Sequence, residues 1–173
     1  MFGIAVGLAA ANATEWAFHK YITHGLGQRK GSFWSFHWFE HHKNVRKFTG
    51  RDPDYATPLT KWNGQTKEAA ALLGASLAIA PWFPIAPFFV GTMVWSAVDY
   101  YRKHKRAHLD PAWAREHLPW HYDHHMGPNQ DANWCVTRPW MDHLMGTRER
   151  YAHTEAEARA EAKKMRRAVG AAA

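Results

Sequence analysis

Ten of the 13 histidines in this chain lie in four short clusters, and any fold it adopts has to place them. The clusters read His19-Lys20-Tyr21-Ile22-Thr23-His24, His37-Trp38-Phe39-Glu40-His41-His42, His104-Lys105-Arg106-Ala107-His108 and His121-Tyr122-Asp123-His124-His125. Imidazole is the commonest protein ligand for iron, zinc and copper. Neutral histidines add little packing and protonated ones repel one another, so their concentration has few structural uses. Ten rings supply about five ligands to each of two metals, a set larger than the three or four protein ligands of a zinc site.

Helical spacing decides which rings can share a metal. His104 and His108 are i and i+4 and share a face, as do His121, His124 and His125 at i, i+3 and i+4. His37, His41 and His42 nearly repeat that pattern. His19 and His24 are i and i+5, about 140° apart on an ideal helix. They either serve different metals or lie on a helix that distorts before Gly25. On donor chemistry alone iron, copper and zinc stay open. The chain has no His-Glu-x-x-His motif, no Gly-x-Ser-x-Gly motif and no glycine-rich phosphate loop.

The charge is segregated. The net charge is +7, yet no Lys or Arg precedes Lys20 and none lies between Lys67 and Arg102. Two long apolar stretches free of positive charge argue against a nucleic-acid partner. They suit a membrane protein with its basic segments on one side. Phe2–Phe18 predicts a short membrane helix ending near Gly25. Ala69–Tyr101, interrupted by Pro81, Pro84 and Pro87, predicts a helical hairpin with arms Lys67–Ala80 and Ile85–His108 that returns to the same side, spanning or shallow. Ser32–Lys43 reads as an interfacial helix and Arg51-Asp52-Pro53-Asp54 as a turn. Thr154–Val169 reads as a surface helix, with Thr154 and Glu157 forming a capping box. The expectation is one all-α domain over residues 1–173, an integral membrane helical bundle with a cytosolic histidine-rich cap and a C-terminal surface helix over 154–170. Cys135 is alone, which leaves no disulfide framework and no cysteine metal site. The N-terminal run has no basic residues ahead of it and leads into the first histidine cluster, which argues against a cleaved signal.

In this order the four clusters resemble the fatty acid hydroxylase/sterol desaturase superfamily of membrane di-iron enzymes. His19–Gly25 and the short length also resemble bacterial beta-carotene hydroxylases. The third and fourth clusters, with the tail Pro139-Trp140-Met141-Asp142-His143-Leu144-Met145-Gly146-Thr147, look more like fatty acid and sterol hydroxylases. The likeness runs from His19 to Thr147. It departs in the second cluster, which has three residues between His37 and His41 where the usual pattern has two.

Carried over, the resemblance implies that His19, His24, His37, His41, His42, His104, His108, His121, His124 and His125 are metal ligands, with His143 in reserve for His37. It implies two iron ions (zinc can substitute in preparations) at the cytoplasmic face of an inner membrane, and dioxygen as co-substrate. The reaction implied is hydroxylation of a fatty-acyl, sterol-like or carotenoid C–H bond. Desaturation by the same centre, or a non-catalytic membrane zinc- or copper-binding protein, are the alternatives. The chain has no evident flavin, nicotinamide or haem module, so electrons have to come from an external ferredoxin or reductase.

Four other residues bear on the site. Glu15, one turn before His19, either orients that imidazole or lies near the membrane boundary facing a polar gap. Asp123 lies inside the fourth cluster, and Asn133 either binds a metal-bound water or caps a turn. Asp99 is read mainly as an i,i+4 partner of Lys103. The ten Trp read as an interfacial belt, with Trp34, Trp38, Trp62, Trp82 and Trp95 flanking the apolar segments. Ala71–Phe89 either lines a lipid tunnel or faces lipid.

Overall fold

The computed structural model describes residues 2–171, whose regular structure is all helical, joined by loops and turns, with no strand among the described residues. α1 (Phe2–Ala17) runs without a break into a π-helical segment (Phe18–Leu26), and a second π-helical segment (His37–His42) leads into α2 (Lys43–Lys47). α3 (Gly64–Ile79) and α4 (Pro87–Leu109) form the hairpin, joined by a short 3₁₀ turn at Ala80–Trp82. α5 (Pro111–His117), α6 (Pro119–Met126), α7 (Trp140–Leu144) and α8 (Glu155–Ala171) complete the chain.

Local chemistry sets these boundaries. The Asn63 side chain caps α3 by accepting from Thr66 N at 3.2 Å. Proline occupies the first position of α4, α5 and α6, where its missing N–H costs nothing. Asp110 ends α4 and caps α5 through Trp113 N. Thr154 caps α8 as expected, but Glu157 reaches back to His153 N rather than closing the box on Thr154. The interfacial helix expected over Ser32–Lys43 begins later and runs on through α2.

α1, α3 and α4 pack side by side. Gly7 lets α1 approach α4 closely: a methyl group there would lie 2.8 Å from Thr92 Cβ. Toward the Ile79–Pro87 end the hairpin helices and their connection expose Leu73, Leu77, Trp82, Ile85 and Phe88. Toward the other end the three helices bury histidine in place of a large apolar core. The remaining core is small, made of Trp16, Trp134 and Cys135 on one side and Ala107, Ala114 and Leu118 on the other. No helix among the described residues is long and apolar enough to cross a membrane. α1 and α3 have 16 residues each, about 24 Å, against a hydrocarbon thickness of about 30 Å.

A loop from Ala132 to Thr147 is strapped across α1. Asn12 donates to the Arg138 carbonyl and accepts from Met141 N, and Trp16 Nε1 donates to Thr147 Oγ1. Asp142 accepts from Trp134 N and Cys135 N at 2.8 and 2.9 Å. This strap closes one wall of the histidine interior.

Candidate metal centre

All ten histidines of the four clusters are buried. Their ring nitrogens gather into two groups. One contains His19, His24, His37, His42 and His124, and the other His41, His104, His108 and His125, with the donor atoms of each group within 4.8 Å of one another. His121 abuts the second group, its Nε2 lying 3.1 Å from His108 Nε2. Each His-His pair sends one ring to each group: His42 and His124 to the first, His41 and His125 to the second. The groups are therefore adjacent, with the rings of His42 and His125 4.4 Å apart.

The two awkward spacings are resolved by the two π-helical segments. A π-helix closes its hydrogen bonds at i→i+5. Residues five apart then lie on one face, so His19 and His24 meet within the first group. His37 and His42 are likewise five apart, and both join that same group. The extra residue in the second cluster is taken up by the wider turn, and His37 keeps its place. At the end of the first π segment Gly27 is sterically required, because a Cβ there would overlap the Thr23 carbonyl oxygen. The helix thus ends at Gly27 rather than Gly25. The regular α-helix of α4 delivers His104 and His108 to the second group by ordinary i,i+4 spacing.

The hydrogen bonds behind the rings show which nitrogen faces inward. His19 Nδ1–H donates to the Trp134 carbonyl at 2.6 Å and His124 Nδ1–H to the Ala132 carbonyl at 2.7 Å. His41 Nδ1 lies 2.7 Å from Asp52 Oδ2, and His104 Nδ1 lies 2.7 Å from Glu68 Oε2. His108 Nδ1 faces the Gly50 carbonyl at 3.2 Å. With the proton on Nδ1, each of these rings turns a bare Nε2 lone pair to the interior. His42 Nε2 lies 3.1 Å from His24 Nε2 and 3.2 Å from the Nε2 atoms of both His37 and His124. One proton cannot bridge four such nitrogens. Burial pushes His37, His42, His124 and His125 well below the usual histidine range, with neighbouring imidazoles adding to the effect, so extra protons do not relieve the crowding. His41 Nε2, His104 Nε2 and both nitrogens of His125 are buried without a hydrogen-bond partner.

A metal ion fits these observations. At metal–nitrogen distances of about 2.0–2.1 Å, neighbouring ligand nitrogens lie roughly 2.9–3.4 Å apart. The spacings of 3.0 to 3.2 Å in the first group are within that range. The donor set is nitrogen throughout and buried, as imidazole-binding transition metals require.

A cavity of about 320 Å³ opens beside the first group. Its lining comes from α1, the π segments, α3 and α4 and is mostly apolar, including Phe18, Leu72, Ile79 and Met93. His19, His37, Glu15 and Glu68 are among its polar lining. Of Ala71–Phe89, which the sequence leaves open between cavity lining and exposed surface, Ala71, Leu72, Ala75, Ser76 and Ile79 line this cavity, whereas Leu73, Leu77, Trp82, Phe83, Ile85 and Phe88 are exposed.

The other expected contributors are placed differently. Glu15 does not touch His19. Its carboxylate accepts from Val136 N, Thr137 N and Thr137 Oγ1, holding the loop whose Trp134 carbonyl orients His19. Asp123 accepts from Ala152 N and pairs with Arg148 at 2.7 Å, so it anchors the segment before α8 rather than an imidazole. Asn133 has a positive φ of 60° and accepts from Glu149 N and Arg148, a turn role. Asp99 pairs with Lys103 at 2.9 Å. His143 and His117 are exposed and outside both groups.

Asp52, Glu68, Tyr55 and Gln130 are the site residues that sequence reasoning missed. Asp52 sits in the motif read as a turn, and it is one: it caps the 3₁₀ turn Pro53–Ala56 with one oxygen and holds His41 with the other. Glu68 lies at the start of the apolar stretch. Its Oε2 takes both His104 and the Tyr55 hydroxyl. The Gln130 amide lies 2.7 Å from His42 Nδ1. Only the pairing of acids with histidines remote in sequence distinguishes these residues, and no local motif carries that. Comparison with family models, with curated proteins and with solved structures finds no match for this chain.

Proposed function

We propose that the chain is a two-metal oxidoreductase that hydroxylates a C–H bond of a hydrophobic substrate at the expense of dioxygen, with iron as its working metal. The observation carrying this reading is the convergence of bare imidazole nitrogens in two adjacent buried groups beside an apolar cavity. The resemblance of the four clusters to the fatty acid hydroxylase/sterol desaturase superfamily supports the same choice. His19, His24, His37, His42 and His124 would hold one metal, and His41, His104, His108 and His125, with His121 beside them, the other. The chemistry such iron supplies when bound is the reduction of dioxygen and the oxidation of an unactivated C–H bond, with two electrons from an external donor. The protein's own part is to bind, orient and exclude water. The apolar lining holds an alkyl or isoprenoid chain, and the carbonyls of Trp134 and Ala132 fix ring orientation. The strap over α1 seals the interior from solvent.

The substrate would reach the cavity from a lipid phase. Phe2 and Ile85, 84% and 77% exposed, lie with Leu73, Leu77, Trp82, Phe83 and Phe88 on segments that carry no Lys or Arg. An apolar surface of this extent has no use in water. The short α3–α4 hairpin is suited to shallow immersion, with both of its ends and the basic segments on one side of the membrane.

The test is anaerobic purification with metal analysis and Mössbauer spectroscopy, followed by oxygen uptake with an added electron donor. Coupled non-haem iron at about two per chain, with product heavier by one oxygen, is the expected result. Loss of two hydrogens instead would assign desaturation, and metal without oxygen uptake would assign storage or sensing. Ala71→Phe, which fills the cavity wall, should lower product formation at least tenfold while leaving iron content unchanged.

A further inference from the structure

The two groups are backed by different chemistry. Behind the second group stand two carboxylates, Asp52 on His41 and Glu68 on His104, with side chains only 2% and 12% exposed. Behind the first stand the neutral carbonyls of Trp134 and Ala132 and the neutral amide of Gln130. The nearest acid to an imidazole there is Asp131, 3.5 Å from His24 Nδ1 and 66% exposed, where water screens it. The other buried acids near the first group are spent elsewhere, Glu15 and Asp142 on backbone N–H groups and Asp123 on Arg148. A divalent ion in a dry interior needs its charge offset. Asp52 and Glu68, each at the Nδ1 of an imidazole in the second group, provide that offset and make the rings they hold stronger donors. Burial pushes Glu68 up to about 7, and a cation beyond His104 favours its ionised form. Access differs too. His19 and His37 line the cavity, whereas His41, His104, His108 and His125 do not.

We propose that the two metal positions are unequal: the one backed by Asp52 and Glu68 fills first and retains its ion, and the cavity-side one fills second and exchanges. This rests on the metal-binding reading above. It makes Asp52 and Glu68 positioning residues of the retained ion, and it puts the exchangeable ion where the substrate lies.

Anaerobic titration of the metal-free full chain in detergent with cobalt(II), followed by its visible absorption, tests this without turnover. Two resolved steps are expected. Asp52→Asn and Glu68→Gln, on different segments, should each weaken the tighter step by about 10- to 100-fold and leave the weaker step in place. Gln130→Ala should weaken only the second step. His124→Ala should abolish the weaker step and keep the tighter. Two equal steps, equal weakening of both by Asp52→Asn and Glu68→Gln, or loss of the tighter step in His124→Ala would overturn the inequality while leaving metal binding intact. A wild-type chain that takes up no cobalt would overturn the metal reading and this inference together.

Discussion

Glu15 shows how a single side chain can serve a metal centre without touching a ligand. Its position one turn before His19 on the same helix allows direct contact with that imidazole, one of the two readings the sequence offers. Instead it accepts two backbone N–H bonds and a hydroxyl bond from Val136 and Thr137, and the loop so fixed presents the Trp134 carbonyl to His19. A carboxylate binds two N–H groups more strongly than it binds one neutral imidazole, and these amides are buried and need acceptors. Removing the side chain leaves two such donors unpaired at about 1–3 kcal/mol each. Glu15→Ala should therefore lower unfolding stability by about 2–6 kcal/mol and reduce cobalt uptake at the cavity-side position. Glu15→Gln, which keeps one acceptor oxygen, should lose less of both. Denaturant midpoints and metal stoichiometry measured on the same preparations check this. A Glu15→Ala chain as stable as wild type would remove the loop's dependence on this residue.

At the scale of elements, the π-helical turns explain both what sequence could and could not foresee. The clusters, the hairpin and its proline-marked break, the all-helical class and the single surface helix follow from residue type and spacing. The i,i+5 distance of His19 and His24 was legible as a problem, and a distorted helix was one of its two answers. The choice between the answers depends on contacts with His37, His42 and His124, which are remote in sequence. The same holds for Asp52 and Glu68, whose partners lie 11 and 36 residues away. The π turn also makes a prediction that ordinary helix reasoning would reverse. Glu40 is exposed within the second π segment, and deleting it converts His37-x3-His41-His42 into a cluster with one residue fewer. The wide turn can then relax to an α-turn with the flanking rings in place, so about two metals per chain should remain bound. Deleting the exposed Arg106 from the regular helix of α4 should instead turn His104 about 100° away from His108 and cost the carboxylate-backed metal. Metal analysis of the two deletions side by side decides the point. Equal loss in both would mean that the π turn has no such slack.

Across the whole molecule, polarity changes from one end to the other. The hairpin end is apolar, the centre is imidazole, and the basic residues lie around the histidine end. An interior made of neutral imidazoles has a consequence for pH. His37, His42, His124 and His125 are held well below their ordinary range by burial, while in the unfolded chain they titrate near about 6.5. Above that pH both states are neutral at these rings and their contribution is at its full value. Below it the unfolded chain binds more protons at these rings than the folded one, so stability falls as pH falls. Glu15 and Glu68, pushed up to about 7 by burial, work in the opposite direction between about 7 and 4.5 but are fewer than the rings. The slope reaches about 1.4 kcal/mol per pH unit for each such ring. Further down, two carboxyls contribute in the same direction. Burial pushes Asp52 up, but His41, the Asp54 N–H and His108 together outweigh it and hold the carboxyl below the usual range, and Glu157 is held there by Arg115; both lose their contribution as pH falls past about 4. Bound metal occupies the same nitrogens and competes with those protons, so loading should move the onset of the loss to lower pH, further at higher free metal. Chemical unfolding of chelator-treated protein at pH 7.5 and 5.5 should show a marked fall in midpoint, and the metal-loaded protein should show little. A chelator-treated midpoint that stays flat over this range would mean that these rings are already protonated or solvated in the fold. The buried, metal-ready interior would then be the wrong description of this chain.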